Sequence, residues 1–327
     1  MKVVNRLLLG AALALGGIHG AVAQEKTNLT FAASMSWLGQ LPIMVAIDKG
    51  FFAEQGINVK YENIVASGDR LMAVTSGAAD FSNLGRTAVV SQISRGNDSF
   101  SWFGNIDQAP GAEGCYATGG IHSIAELKGK RVAANTSAEF TMAMLLKDNG
   151  LSHADIKFFD LPPGEIVTAL QKGDVDAVCI WQPYLSKAAE AVPGGKVIGL
   201  DNTTQSFKRT GTVVSADLLI ISKKLVKEKP AVATGLSEAV FKGVDFIHAN
   251  PDEAAQIYQR YSKADLDTIK TQMKLFQYIP KDKFAQNLAG QELQLNELAQ
   301  WLLDEKKTIR QMPNIKAALD TSFLKLK

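Results

Sequence analysis

From Thr27 onward, short apolar runs alternate with stretches whose apolar residues recur every three or four positions. TNLTFAAS (27–34) predicts a strand, LPIMVAIDKGFFAEQG (41–56) a helix ending on Gly56, and INVKYENI (57–64) a second strand. A helix over 69–76 follows, stopped by Gly77 in the position past a helix end that favours glycine, and ADFSNLG (79–85) is the third strand. Arg86 opens a helix that runs to the turn RGND (95–98), and SFSWFGNI (99–106) is again a strand. After GCYATGG (114–120) the rhythm restarts. SIAELKG is a short helix stopped by Gly129, KRVAAN (130–135) a strand and SAEFTMAMLLKDNG (137–150) a helix. IKFFDL (156–161) is the next strand, followed by a helix over 165–172, Gly173 and the strand VDAVCIW (175–181).

One phrase is written twice. GDRLMAVTSGAAD (68–80) and GEIVTALQKGDVD (164–176) share Gly68/Gly164, Asp69/Glu165, Ala73/Ala169, Gly77/Gly173 and Asp80/Asp176 in one register. Each copy sets a glycine at a strand-to-helix turn, an acid in the first turn where it complements the helix dipole, and a glycine before a buried strand. Coincidence within the general grammar of strands and helices is the plainer explanation, but the flanks repeat too, which favours two similar lobes. The fold class expected is α/β, each lobe a mainly parallel sheet flanked by helices. TVVSADLLIIS (212–222) reads as a strand interrupted by one carboxylate, Asp217. From Lys223 the pattern is nearly all helical for about one hundred residues, a tail that must pack on something, with the first lobe as candidate.

The amino terminus bears on where such a chain works. Lys2 and Arg6, the apolar run 7–18 and Ala21-Val22-Ala23 have the form of an export signal cleaved after Ala23, and the run is shorter than the ~20 residues of a bilayer span. Cleavage removes two basic residues and no acid, so the mature chain is close to neutral, which argues against a nucleic-acid partner. Its length suits two lobes of about 100–200 residues each, read here as 24–115 and 116–212, with 213–327 returning to the first. Cys115 and Cys179 stand in apolar strand-like runs, EGCYA and DAVCIW, where a buried free thiol is the commoner outcome, so no bridge is expected. His122, His153 and His248 lack metal-ligand spacing, and HExxH, GxSxG and CxxC do not occur. Neither a metal nor a cofactor is expected.

The ordered set GQLPIMVAIDKGFFAEQGINVKYE, GDRLMAVTSGAADFSNLG, LKGKRVAAN and LLKDNGLSHADIKFFDLPPGEIVTALQKGDVDAVCIWQPY resembles the type II solute-binding proteins of ABC importers. Within them it is most similar to the taurine, alkanesulfonate and nitrate branch. The resemblance covers nearly the whole mature chain. It implies a two-lobed periplasmic binding protein that closes on a small ligand and delivers it to a membrane permease and its ATPase, as a monomer and without catalysis. Extended crossovers between the lobes fit hinges near 113–118 and 211–217, with the helical tail returning to the first lobe.

Ligands of open α/β sheets bind beyond the carboxyl ends of strands, where helix N-termini turn free N–H groups outward. That rule selects Ser36, Trp37 and Leu38 after the first strand, Ser67 and Gly68 after the second, and Gly85, Arg86 and Thr87 after the third. In the second lobe it selects Asn135, Thr136, Ser137, Glu139, Phe140 and Trp181. Arg86 is the candidate for an anionic group, because its fork of donors suits sulfonate or carboxylate; a solvent-facing arginine is the plainer reading. The taurine branch often has small polar residues there. A lone carboxylate in an apolar strand is costly unless paired, which singles out Asp217, and the resemblance sets it at the acidic position that contacts the amine of taurine. Glu113 and Glu139 add two acids near the cleft, although Glu139 also fits plain helix-dipole complementation. Two of these three acids facing the cleft would mean a ligand with a cationic group. Trp37 and Trp181, on opposing lobes, can stack on the ligand or cover it. The expected ligand is taurine or a related amino- or alkanesulfonate. The alternatives are an enzyme on the same scaffold, like the thiamine-pyrimidine synthases, whose cysteine-rich motif and histidine set are missing here, and a ligand-sensing receptor domain.

Overall fold

The computed structural model describes residues 26–326, so the leader and its cleavage after Ala23 lie outside the described residues. In chain order the strands are β1 (Thr27–Ala33), β2 (Ile57–Asn63), β3 (Phe81–Gly85), β4 (Phe100–Gly104), β5 (Asp107–Gln108) and β6 (Glu113–Ala117). They continue as β7 (Arg131–Ala134), β8 (Lys157–Asp160), β9 (Ala177–Trp181), β10 (Lys196–Leu200), β11 (Asp217–Ser222) and β12 (Gln277–Tyr278). The first sheet runs β2-β1-β3-β11-β4, with β1 parallel to β2 and β3, and β11 antiparallel to β3 and β4. The second runs β8-β7-β9-β6-β10, with β7 parallel to β8 and β9, and β6 antiparallel to β9 and β10. The two orders coincide when β7, β8, β9 and β10 are laid on β1, β2, β3 and β4. In each sheet the antiparallel strand is the one that arrives from the other lobe.

The repeated phrase does the same work in both sheets. Asp80 accepts the N–H of Thr30 in β1 at 2.7 Å, and its own N–H returns to the Thr30 carbonyl at 2.9 Å. Asp176 accepts the N–H of Arg131 in β7 at 2.8 Å, and its N–H returns to the Arg131 carbonyl at 2.8 Å. Each aspartate thereby fixes where the third strand of its lobe enters beside the first. Gly77 and Gly173 end the preceding helices with φ of 82° and 71°, in the left-handed region. There a Cβ costs about 1 kcal/mol, so Gly173→Ala should lower the unfolding free energy by that amount in a urea titration, with the m-value unchanged.

Both faces of the first sheet are buried, which is why DLLIIS reads as an unbroken apolar run. Leu219 and Ile221 face a core shared with helix Leu41–Asp48 and with the tail helices Pro230–Ala249 and Pro251–Ser262. Leu218 and Ile220 face the opposite core, closed by Lys281–Asp304 through Leu295 and Leu298. This second core also takes in the other lobe: Phe140, Ala143 and Met144 belong to it, and the Phe140 ring sits 5.5 Å from Trp301. The tail therefore touches both lobes.

Several sequence expectations need correction. The helix read over 41–56 is two pieces, Leu41–Asp48 and Phe51–Glu54. Asp217 opens β11 instead of interrupting a longer strand. Within the tail read as nearly all helical, one helix ends at Met273, and Gln277–Tyr278 pairs as β12 with β5. Glu113–Ala117, read as part of a hinge, is a strand inside the second sheet; the chain passes between the sheets over 105–112 and 201–216. Cys115 and Cys179 are not free thiols. They face each other directly on β6 and β9, with Cα atoms 4.0 Å apart, and form a disulfide.

Candidate functional site

Ser67 ties two helix starts together: its Oγ accepts the Gly85 N–H at 3.2 Å and the Arg70 Nη2 at 3.1 Å. Helices Ser67–Ser76 and Arg86–Ser94 consequently begin side by side, at the carboxyl ends of β2 and β3. Neither has a side-chain cap, and nor does Glu139–Asp148 in the second lobe. First-turn N–H groups left without a capping side chain, added to the positive end of the helix dipole, make such a place favourable to negative charge.

Next to these starts lies a buried polar cluster. Asp217 pairs in register with Gly85, and its Oδ2 accepts Gln40 Nε2 at 3.4 Å. Asp107 is fully buried and accepts Trp37 Nε1 at 3.1 Å and Asn83 Nδ2 at 2.9 Å. Arg86 donates to the Ala216 carbonyl at 2.6 Å, to Thr212 Oγ1 at 3.3 Å and to Gln291 Oε1. Arg70 donates to the carbonyls of Ile64 and Val65 at 2.9 and 2.6 Å. Burial pushes the Asp217 carboxyl up to about 7; Asp107 adds to the rise, while Arg70 and Arg86 oppose it. Glu113, across the β6–β9 ladder from Trp181, is pushed up to about 8 by burial, against a hydrogen bond from Thr141 Oγ1 and with help from the charges of Asp201 and Asp217. Asp107, Glu113, Asp201 and Asp217 are all buried acids whose values are raised by burial, and the buried guanidiniums of Arg70 and Arg86 oppose the rise at Asp217.

Residues 38–254 match the family model described as NMT1/THI5 like. The chain belongs to the NMT1/THI5-like family. A putative aliphatic sulfonates-binding protein of Bacillus subtilis is 25% identical over 241 residues, 71% of this chain and 70% of that protein. The taurine-binding periplasmic protein of Escherichia coli is 24% identical over 255 residues, 77% and 75% of the two chains. Among solved structures, the periplasmic aliphatic sulphonate binding protein SsuA from Escherichia coli superposes with a TM-score of 0.73 over 91% of this chain and 98% of that one, at 17% identity. A desulfurization enzyme superposes with a TM-score of 0.66 over 91% and 97%, at 14% identity. At these identities the superpositions show a shared two-lobed fold, and that fold alone does not separate capture from catalysis.

On this NMT1/THI5-like scaffold the expected site residues meet different fates. Ser36, Gly68, Thr136 and Ser137 are exposed, while Trp37, Ser67, Gly85, Thr87, Asn135 and Trp181 are half-buried. Leu38 and Phe140 are core residues. Arg86 is buried instead of solvent-facing: its Nε and Nη2 hold the return passage and the tail helix, and its buried Nη1 has no partner among the described residues. Glu139 is buried with its Oε1 at 2.5 Å from Lys306 Nζ and 3.4 Å from His153 Nδ1, so its charge is met inside the protein. Trp37 is held by Asp107 and by the edge of Phe276 at 4.9 Å, and Trp181 meets Tyr184 edge-on at 6.2 Å.

Gln40, Arg70, Asn105, Asp107, Thr141, Asp201 and Gln291 were missed by the sequence reading. Two carried a usable signal. Arg70 stands one turn before Val74 on the buried stripe of its helix, and Gln291 and Gln294 keep apolar spacing with Leu295 and Leu298. Polar residues on an apolar stripe mark buried polar contacts. Asp107, within NIDQAP, has no such pattern around it.

Proposed function

We propose that this chain is the substrate-binding component of an ABC importer. It captures a small polar solute, an amino- or alkanesulfonate with zwitterionic taurine as the first choice, by closing its lobes, and delivers it to a membrane permease and ATPase. The observation that carries the reading is the meeting of two opposite demands at one place. The paired helix starts at Ser67 and Arg86 favour an anion, and beside them Asp217 and Glu113 are buried acids that make no ion pair among the described residues. Sulfonate and ammonium on one small molecule answer both. The names of the two curated relatives support a sulfonate, and both are named as binding proteins, which supports capture over catalysis. Ser36, Ser67 and Thr87 from one lobe and Asn135, Ser137 and Trp181 from the other would contact the ligand, with the passages 105–112 and 201–216 as hinges. The Cys115–Cys179 bridge and the periplasmic relative support export; we further propose cleavage after Ala23 and action as a monomer.

Calorimetric titration tests this against taurine, an alkanesulfonate without an amine, a simple alkylamine and nitrate. Taurine should bind at least ~10-fold more tightly than either one-charge analogue, the worth of one charge-assisted contact. No heat with any of the four would remove the sulfonate reading. The pH dependence has a definite sign. Near neutrality Glu113 and Asp217 hold protons that an incoming ammonium must displace, so taurine affinity should rise from pH 6 to 8, with protons released to the buffer.

A further inference from the structure

Asp201 follows β10 directly, opens the return passage to the first lobe, and is fully buried. Its Oδ1 accepts the Gly111 N–H at 2.7 Å, and its Oδ2 accepts the Ser215 hydroxyl at 2.9 Å. Gly111 lies in the outward passage, two residues before Glu113; Ser215 lies in the return passage, two residues before Asp217. The N–H groups of Asn202 and Glu113 also favour the charged carboxylate. One side chain of the second lobe therefore grips both connections between the lobes, next to the two acids that the ligand reading places around the ammonium.

We infer that Asp201 is a positioning residue: it fastens the two interlobe passages to each other, sets the resting angle of the hinge, and holds Glu113 against Asp217. The part concerning Glu113 and Asp217 rests on the ligand reading above; the fastening of the passages does not. Several donors converging on one buried carboxylate make a directional anchor, stronger than the same contacts to a neutral acceptor. Gly111, Ser215 and Asn202 bring neutral donors from the elements packed around it, and Glu113 is the ionisable neighbour that feels its charge. Burial pushes the Asp201 carboxyl up to about 6, so at neutral pH the anchor is charged and intact, and it weakens as pH falls through that value. Closure about such a hinge keeps the anchor and bends the passages on either side of it.

The experiment measures the distance between labels on Met72→Cys and Phe159→Cys, two exposed positions on opposite lobes, in the full chain without ligand. The native disulfide is left in place. With Asp201 intact, a single narrow distribution should broaden as pH is lowered from 7 to 5. Asp201→Asn should broaden it already at pH 7 and abolish the pH response, a change that general loss of stability does not produce. Ser215→Ala removes one arm and keeps the charge, so it should broaden the distribution while retaining the response; it also remains informative if Asp201→Asn does not fold. In parallel, Asp201→Asn should weaken taurine binding by roughly 10-fold, about one charge-assisted hydrogen bond. Distances that stay narrow in both variants, with the pH response kept in Asp201→Asn, overturn the inference. If taurine fails to bind the unaltered protein, the ligand reading falls while the distances still judge the anchor.

Discussion

Replacing Cys115 and Cys179 together with alanine should lower the unfolding free energy of the second lobe by about 4 kcal/mol, the chain-entropy value for a bridge of this span. The cysteines are separated by 64 positions, and breaking the link frees the chain between them, including β7, β8 and their helices, in the unfolded state. Both sulfurs are out of reach of solvent in the folded protein, so reduction should bite mainly when the lobe opens. A urea titration followed by a second-lobe probe such as Trp181 should show the loss, and the first lobe, which holds neither strand, should move much less. A change under about 1 kcal/mol would mean that the strand pairing holds the unfolded chain together without the bridge. The effect reaches the site as well, since Glu113 and Trp181 are opposed two residues further along the same β6–β9 ladder. A loosened ladder moves one of the two acids proposed to meet the ligand.

The bridge also shows what local pattern does not encode. Each cysteine sits in an apolar run, and runs of that kind usually hold unpaired thiols. What makes them partners is the insertion of β6, arriving from the first lobe, antiparallel between β9 and β10. That is a fact of topology. The same limit hid the fate of Glu139, whose partner Lys306 lies 167 residues away on the tail, and of Arg86, whose acceptor Gln291 lies 205 away. The strand and helix rhythm was legible because each period is local, and the twin roles of Asp80 and Asp176 because the sequence repeats them. Asp217 was legible for a third reason. A carboxylate leading an apolar run draws attention whatever its partner, so its burial could be read even though the strand starts at it and not before it. Asp107 and Asp201 stand among polar and turn residues, where an acid looks ordinary, and only the packing of passages and tail around them reveals their burial.

Asp217→Asn should weaken taurine binding about 100-fold while leaving an amine-free alkanesulfonate unaffected or bound slightly better. Losing the charged partner of a desolvated ammonium costs about 2–5 kcal/mol. Part of that is offset, because near pH 7 the free carboxyl is half protonated and must lose its proton to serve the ligand, which places the expected loss toward the lower end. The amide keeps the size of the side chain and its oxygen can still accept from Gln40, so the fold should survive. Its stability should even gain on the alkaline side. A carboxyl whose value is raised on folding stabilises most below its unfolded value near 4, and that contribution is lost as pH rises through about 7; the neutral amide has no such loss. Above pH 8 the ligand-free variant should therefore melt no lower than the unaltered protein, and taurine should raise its melting temperature far less. The two chemistries separate in the comparison of ligands: an equal loss for taurine and for the amine-free sulfonate would mean that Asp217 shapes the pocket without meeting an ammonium, and the zwitterion reading would fall with it.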